Sequence, residues 1–233
     1  MKKKKFLGII CVRSGSKGIK NKNLLKINGK TLLEIAISQA KKSNLLDRLI
    51  ISTDSKKMIA IAKKLNVEVP FVRPAYLSTD TAKEWQVWRH AIKYMKKNLN
   101  YDADVLTCIP TTSPLRNYRD IDLCIKEFKK NQSKPLITVS EAKRNPFFNM
   151  VMKKNKKDFD LIISKKKYSR RQDAPKVYDV STIAFVVPCA YVLKNDHLFS
   201  KRVKALEFDP KKCLDIDSLY EYNLAKLQLS KKN

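Results

Sequence analysis

Glycine is scarce in this sequence, with four in 233 residues. Neither G-x-G-x-x-G nor G-x-x-x-x-G-K-[ST] occurs, so the two best-known phosphate motifs, and with them dinucleotide-binding and P-loop readings, lose their support. Histidine is scarcer still. His90 lies in a helix-like stretch and His197 in a polar loop, which leaves a multi-histidine zinc site or a serine-type triad poorly supplied. The five cysteines, at 11, 108, 124, 189 and 213, are odd in number and form no C-x-x-C pair. Reduced thiols in a cytoplasmic protein are expected rather than a disulfide framework. No apolar run is long enough to span a bilayer, and Phe6 to Val12, behind the basic N-terminus, is too short and lacks a convincing cleavage site. Acidic residues are few: 22 Asp+Glu stand against 50 Lys+Arg, a net charge of +28.

That charge predicts attraction to polyanions, whether nucleic acid, an anionic membrane or acidic small molecules. The lysines are scattered along the chain, as at 2–5, 41–42, 63–64, 96–97 and 165–167, which suits solvated helix faces and loop tips. No helix-turn-helix, zinc-finger or aromatic-rich RNA-binding signature stands out, so neither a specific nucleic-acid partner nor a membrane partner is expected. The length suits one domain with a substantial core.

The stretch from Cys11 to Asn23 leaves an apolar run and enters a cation-dense loop. Phe6 to Val12 reads as a buried strand and Thr31 to Lys42 as an amphipathic helix, so the loop sits at a strand's carboxyl end, where open α/β sheets bind ligands. Gly15 and Gly18 allow close backbone approach, while Arg13, Lys17, Lys20 and Lys22 offer charge to phosphate oxygens. A plain lysine-rich loop would look similar.

The chain then alternates. Arg48 to Asp54 reads as a strand and Lys56 to Asn66 as a helix; Val67 to Val72 is a strand candidate that Pro70 confines to an edge or irregular position. Asp80 or Thr81 could cap a long helix running to Lys97. Asp104 to Ile109 is a strand ending in Thr111, Thr112, Ser113 and Arg116, a helix follows from Arg119 to Asn131, and Pro135 to Ser140 is a further strand. From Glu141 to Lys176 the alternation breaks down: Asn145 to Met152 is strand-like, Lys153 to Lys157 a turn, and Phe147 and Phe148 suit either a partner surface or a core. Ile183 to Val187 returns to the core. Asp215 and Asp217 stand at i and i+2 before a terminal helix, on one side of an extended segment. Their mutual repulsion is readily offset by a divalent cation bridging them to phosphate oxygens; the alternative is a helix cap at Asp217 with Asp215 on the surface.

Taken together, these motifs resemble the acylneuraminate cytidylyltransferase family. Arg13, Lys17, Gly18, Lys22 and Asn23 match its signature without a gap, and Arg73-Pro74, Ser78 to Thr81, Thr112 to Arg116 and Asp215 to Asp217 follow in the family's order. The resemblance implies an α/β, Rossmann-like, mostly parallel sheet flanked by helices, in a single domain over residues 1–233, with residues 141–176 inserted for dimerisation and for closing the substrate pocket. It implies a cytoplasmic homodimer that transfers CMP from CTP to a nine-carbon keto sugar acid, with Mg2+ as cofactor. By the same resemblance Arg13, Lys17, Lys22 and Asp217 act in catalysis, and Arg13, Ser16, Lys17, Asn23, Arg73, Asp80 and Thr81 hold the nucleotide. Ser113, Arg116, Arg171, Gln172 and Tyr178 are placed at the sugar acid, and Asp215 with Asp217 at the metal. Arg144 to Asn149 and Arg171 to Asp179 look more like the branch that activates legionaminic acid than the sialic acid enzymes, whose Gln-Pro is Pro110-Thr111 here. The Kdo-activating enzymes are a weaker match at the first loop, and another nucleotidyltransferase of the same fold remains open.

Overall fold

Alternation along the first strand sets the layers of the molecule. β1 (Phe6–Cys11) is buried along almost its whole length, and successive strand side chains face opposite sides. Phe6 and Ile10 enter one apolar cluster while Leu7 and Ile9 enter another. Both faces of this strand are therefore covered, as parallel strands require. The structure, a computed structural model, describes residues 3–15, 18–164 and 168–230. Ser16 and Lys17 of the first loop, and the lysine run 165–167, lie outside the described residues.

After that loop a short hairpin, β2 (Lys26–Ile27) and β3 (Lys30–Thr31), turns at Asn28 and Gly29, both at positive φ (48° and 78°). An Asn-Gly pair tolerates this conformation cheaply. Thr31 then caps α1 (Leu32–Lys41) reciprocally with Glu34. The alternation continues through β4 (Arg48–Ser52), α2 (Lys56–Lys64), α3 (Glu84–Leu99) and β5 (Val105–Cys108). It goes on through α4 (Tyr118–Lys130), capped by Asn117, and β6 (Leu136–Glu141). Next come β7 (Val151–Lys153), β8 (Phe159–Leu161), β9 (Tyr178–Pro188), α5 (Cys189–Lys194), β10 (Lys204–Glu207) and α6 (Leu219–Ser230).

The main sheet runs β10-β6-β9-β5-β1-β4. β1 pairs in parallel with β4 and β5, and β6 with β10, while β9 lies antiparallel between β5 and β6. Apolar residues of α1, α2 and α4 cover one face. Those of α3 and α5 cover the other. A smaller cluster of Ile19, Ile27, Leu32, Ile216 and Ala225 ties the first loop, the hairpin and α6 together. It carries the Asp215–Asp217 segment to the carboxyl end of β1.

Val67 to Val72 takes the irregular place that Pro70 implied: it makes isolated parallel bridges, Glu68 to Ile50 and Val72 to Thr53, with Pro70 supplying no N–H between them. Two other expectations need correction. Residues 145–150 form a turn around Asn145, whose Oδ1 accepts from Phe147 N at 2.9 Å, instead of a strand. The hairpin β7–β8 stands apart from the main sheet. Finally, α3 begins at Glu84 with Lys83 in the cap position, so neither Asp80 nor Thr81 caps it.

Candidate active site

The carboxyl ends of β1 and β5 open into a crevice of about 510 Å³, well within the size of small-molecule sites. Arg13, Gly18, Lys22 and Asn23 line it from the first loop, Thr111 and Thr112 from the turn after β5, and Thr182 and Phe185 from β9. Arg73, Leu77, Thr79, Ala82, Glu84 and Val87 complete its lining.

The loop is pinned from several sides. Ser14 donates to Asp54 from its amide at 2.9 Å and from its hydroxyl at 2.5 Å. Burial works to raise the Asp54 carboxyl, but these two bonds outweigh it and hold the group below the usual carboxylate range. Asn23 Nδ2 donates to the Arg13 carbonyl at 3.4 Å, and Asn23 Oδ1 accepts from Thr111 at 2.6 Å, which joins the loop to the β5 turn. Arg13 reaches across the mouth to Asp80 at 2.5 Å.

Gly18 has a specific reason to be glycine. A Cβ there would sit 2.5 Å from the Asp217 carbonyl oxygen, so the loop and the acidic segment touch backbone to backbone. Lys22 fastens the same contact, donating from Nζ to the Ile216 carbonyl at 2.7 Å and to Asp217 at 2.9 Å. Ile216 is fully buried between the two acids and donates its amide to the Thr112 carbonyl at 3.0 Å. Asp217 is thus not a helix cap; Ser218 and Glu221 start α6. Asp215 is half-buried, and its Oδ1 is shielded from solvent without a hydrogen-bond partner. Burial pushes its carboxyl up, hydroxyl groups of Thr112 and Thr182 pull against it, and the Asp217 charge raises it further.

A buried carboxylate oxygen without a donor fits a cation. Among the described residues no group of three or more His, Cys, Asp or Glu could hold a metal by itself. Mg2+ commonly takes one or two carboxylates and completes its shell with phosphate and water. The pair Asp215 and Asp217 is adequate for that and for no closed protein cage.

Arg73 is 5% exposed and donates from Nε to the Ser52 hydroxyl at 3.0 Å and from Nη2 to the Ser52 carbonyl. This fixes its guanidinium at the end of β4. Thr79 rather than Thr81 lines the crevice, and the two hydroxyls lie 3.3 Å apart.

Two residues placed at the sugar acid face inward instead. Ser113 is fully buried against Thr182 at 2.8 Å. Arg116, 2% exposed, donates from Nη1 to the carbonyls of Pro110 and Ile183, both at 2.9 Å. Burial brings its guanidinium down to about 10. Nη1 thus clamps the β5 turn to β9, while the buried Nε has no hydrogen-bond partner. Arg171 and Gln172 lie away from the crevice, in a separate cavity with Glu141, Asn145 and Lys176, where Arg171 donates to the Ala142 carbonyl at 3.1 Å. Tyr178 is exposed at the start of β9. Sequence reasoning missed Glu84, Thr182 and Phe185; the first was hidden by starting its helix too early, the others by lying on a strand read only as core.

A crevice at strand carboxyl ends, with cations on one wall and an acidic pair beside them, is the site of a nucleotide-binding α/β protein. The kind of nucleotide enzyme follows from comparison. Residues 7–226 match a family model described as Cytidylyltransferase, and the chain belongs to that family. It is 35% identical over 229 residues to the CMP-N,N'-diacetyllegionaminic acid synthase of Campylobacter jejuni subsp. jejuni serotype O:2, covering 98% of this chain and 96% of that one. It is 30% identical over 225 residues to the pseudaminic acid cytidylyltransferase of the same organism, covering 96% and 95%. The fold matches that of a CMP:2-keto-3-deoxy-manno-octonic acid synthetase complexed with CTP, with a TM-score of 0.72, 12% identity and 98% and 100% of the two chains covered.

Proposed function

We propose that this cytidylyltransferase transfers CMP from CTP to the anomeric hydroxyl of a nine-carbon keto sugar acid of the legionaminic type, releasing pyrophosphate. The observation that carries this is the bond from Lys22, which lines the crevice with Arg13 and Arg73, to Asp217 beside it. It joins phosphate-binding charge to a carboxylate pair, which simple polyanion binding does not need.

The lining divides by chemistry: Arg13, Gly18 and Lys22 suit phosphates, Asn23 and Thr111 a ribose, and Arg73 with Phe185 a base, which assigns the crevice a phosphate end and a base end. In the reaction the anomeric oxygen bonds to the α-phosphorus, giving up its proton to water, as the bond to the bridging oxygen of pyrophosphate breaks. Negative charge grows on the departing pyrophosphate, where Arg13 and Lys22, joined by Lys17 of the same loop, neutralise it. Ser16 is assigned to the triphosphate by its place in the family signature alone. Asp215 and Asp217 would hold Mg2+, which when bound supplies charge neutralisation at the phosphates. The Gly18 contact and the Lys22 bonds keep the acids beside the loop, so orientation is set before substrate arrives.

The partner assignment rests on a different region. Val151 and Phe159, 55% and 57% exposed, form an apolar strip on one face of the β7–β8 hairpin, and Met152 and Val180 are exposed besides. Covering it with a second copy supports a homodimer, in which residues 141–176 bring Arg171 and Gln172 toward the neighbour's sugar acid. No described helix is long and apolar enough to cross a membrane. Together with five free thiols this supports work in the cytoplasm, where CTP is made.

The test is pyrophosphate release with CTP and Mg2+ against N,N'-diacetyllegionaminic, N-acetylneuraminic, pseudaminic and Kdo acids. Release with CTP and one nine-carbon acid is expected. Release with Kdo alone, or none from a folded protein, contradicts the assignment.

A further inference from the structure

The geometry points to Glu84 as the residue that selects cytosine over uracil, by presenting a carboxylate acceptor beside the Arg73 donor at the base end of the crevice. This rests on the reading that CTP is the donor. Glu84 supplies the one carboxylate among the described residues lining the crevice. It opens α3, where an acid favours the helix dipole, but that alone does not bring its tip to the floor. There Cys108, almost fully buried on β5, donates its S–H to Oε1 at 3.4 Å. A thiol is a weak donor and leaves the carboxylate with acceptor capacity to spare. Glu84 as a residue is exposed, but its tip is desolvated, which raises the carboxyl; hydrogen bonds from Cys108 and Trp88 and then the Arg73 charge work against that shift.

Phosphates at the Arg13–Lys22 end place the base at the opposite end. Phe185, Val87 and Leu77 there offer apolar walls to a flat ring. Cytosine shows an amino donor next to two acceptors, O2 and N3. Uracil shows an acceptor, O4, where cytosine has the amino group. A carboxylate accepts from the cytosine amino group, as acidic side chains do when they read this base, while Arg73 faces the acceptors. Uracil O4 would instead face carboxylate oxygen, two acceptors without a proton between them.

The experiment is calorimetric binding of CTP and UTP to the full chain and to Glu84→Gln. An amide can turn its donor toward O4, so the preference for CTP should fall about tenfold, the value of one lost specific contact, with the melting temperature held. A purely structural role for Glu84 would weaken both nucleotides alike and keep their ratio, which would overturn the inference and leave the donor assignment standing. If Glu84→Gln does not fold, Glu84→Asp withdraws the same acceptor by one methylene and should lower the same ratio; an unchanged ratio there has the same force. A wild-type chain that binds neither nucleotide fails on the donor reading itself.

Discussion

The crevice above β1 and β5 and the segment between β6 and β9 follow opposite plans. In the crevice polar side chains reach far along the chain: Lys22 to Asp217 spans 195 positions, Arg13 to Asp80 spans 67 and Ser14 to Asp54 spans 40. In the segment the polar bonds are mostly local, as in Asn145 with Asn149, Asn155 with Asp158 and Arg170 with Asp173. Several of its apolar side chains meanwhile are exposed, Met150, Val151, Met152, Phe159 and Ile162 among them. The first region is fixed by the fold of one chain. The second satisfies its backbone locally and leaves its hydrophobic surface for something else to cover.

Breaking the long-range contacts should have the largest effect. Asp217→Asn and Lys22→Ala are expected to lower kcat by about 100-fold or more, with the circular dichroism spectrum unchanged. Full turnover in either variant would remove these residues from the chemistry.

Arg116 comes next, because it separates a clamp from a ligand contact. Arg116→Ala leaves the carbonyls of Pro110 and Ile183 unpaired inside the protein. A loss of about 3 kcal/mol in urea unfolding is expected. An unchanged unfolding midpoint with a raised KM for the sugar acid would return Arg116 to the substrate.

The segment should respond differently. Phe159→Glu puts a charge into the exposed strip, and sedimentation equilibrium should show monomers whose affinity for CTP is unaltered. A dimer that persists would move the interface elsewhere.

Much of the crevice was legible in the sequence, for physical reasons that differ from part to part. The strand–loop–helix around Arg13 and Lys22, the caps at Thr31 and Asn117, and the acidic pair at 215 and 217 are local patterns that carry their own geometry. The antiparallel insertion of β9 between β5 and β6, and the edge strand β10, are tertiary pairings with no local signature. The burial of Arg116 was not legible, because a cation after a strand can face a crevice or turn back onto carbonyls, and only packing decides. Glu84 was missed because Asp80 and Thr81 looked like caps, whereas Asp80 is held by Arg13 and the helix starts four residues later.

The smallest expected effect concerns stability against pH, and it has opposite signs at two acids. The folded chain holds Asp54 below its ordinary value, so its contribution is present above the unfolded pKa and is lost as pH falls through the folded one. Asp215 is raised. The unfolded chain therefore releases that proton first as pH rises, and the charged group costs stability fully above the folded pKa. Asp215→Asn should raise the melting temperature by about 2–4 °C at pH 8 and by less at pH 4. Equal shifts at both values would show that its burial carries no charge penalty.

The most direct test of the account is a crystal structure with CTP and Mg2+ bound. The account predicts the triphosphate against Arg13 and Lys22, the metal on Asp215 and Asp217, and the base between Phe185 and Arg73. Phosphates at the Arg73 end, or a nucleotide outside the crevice, would contradict it.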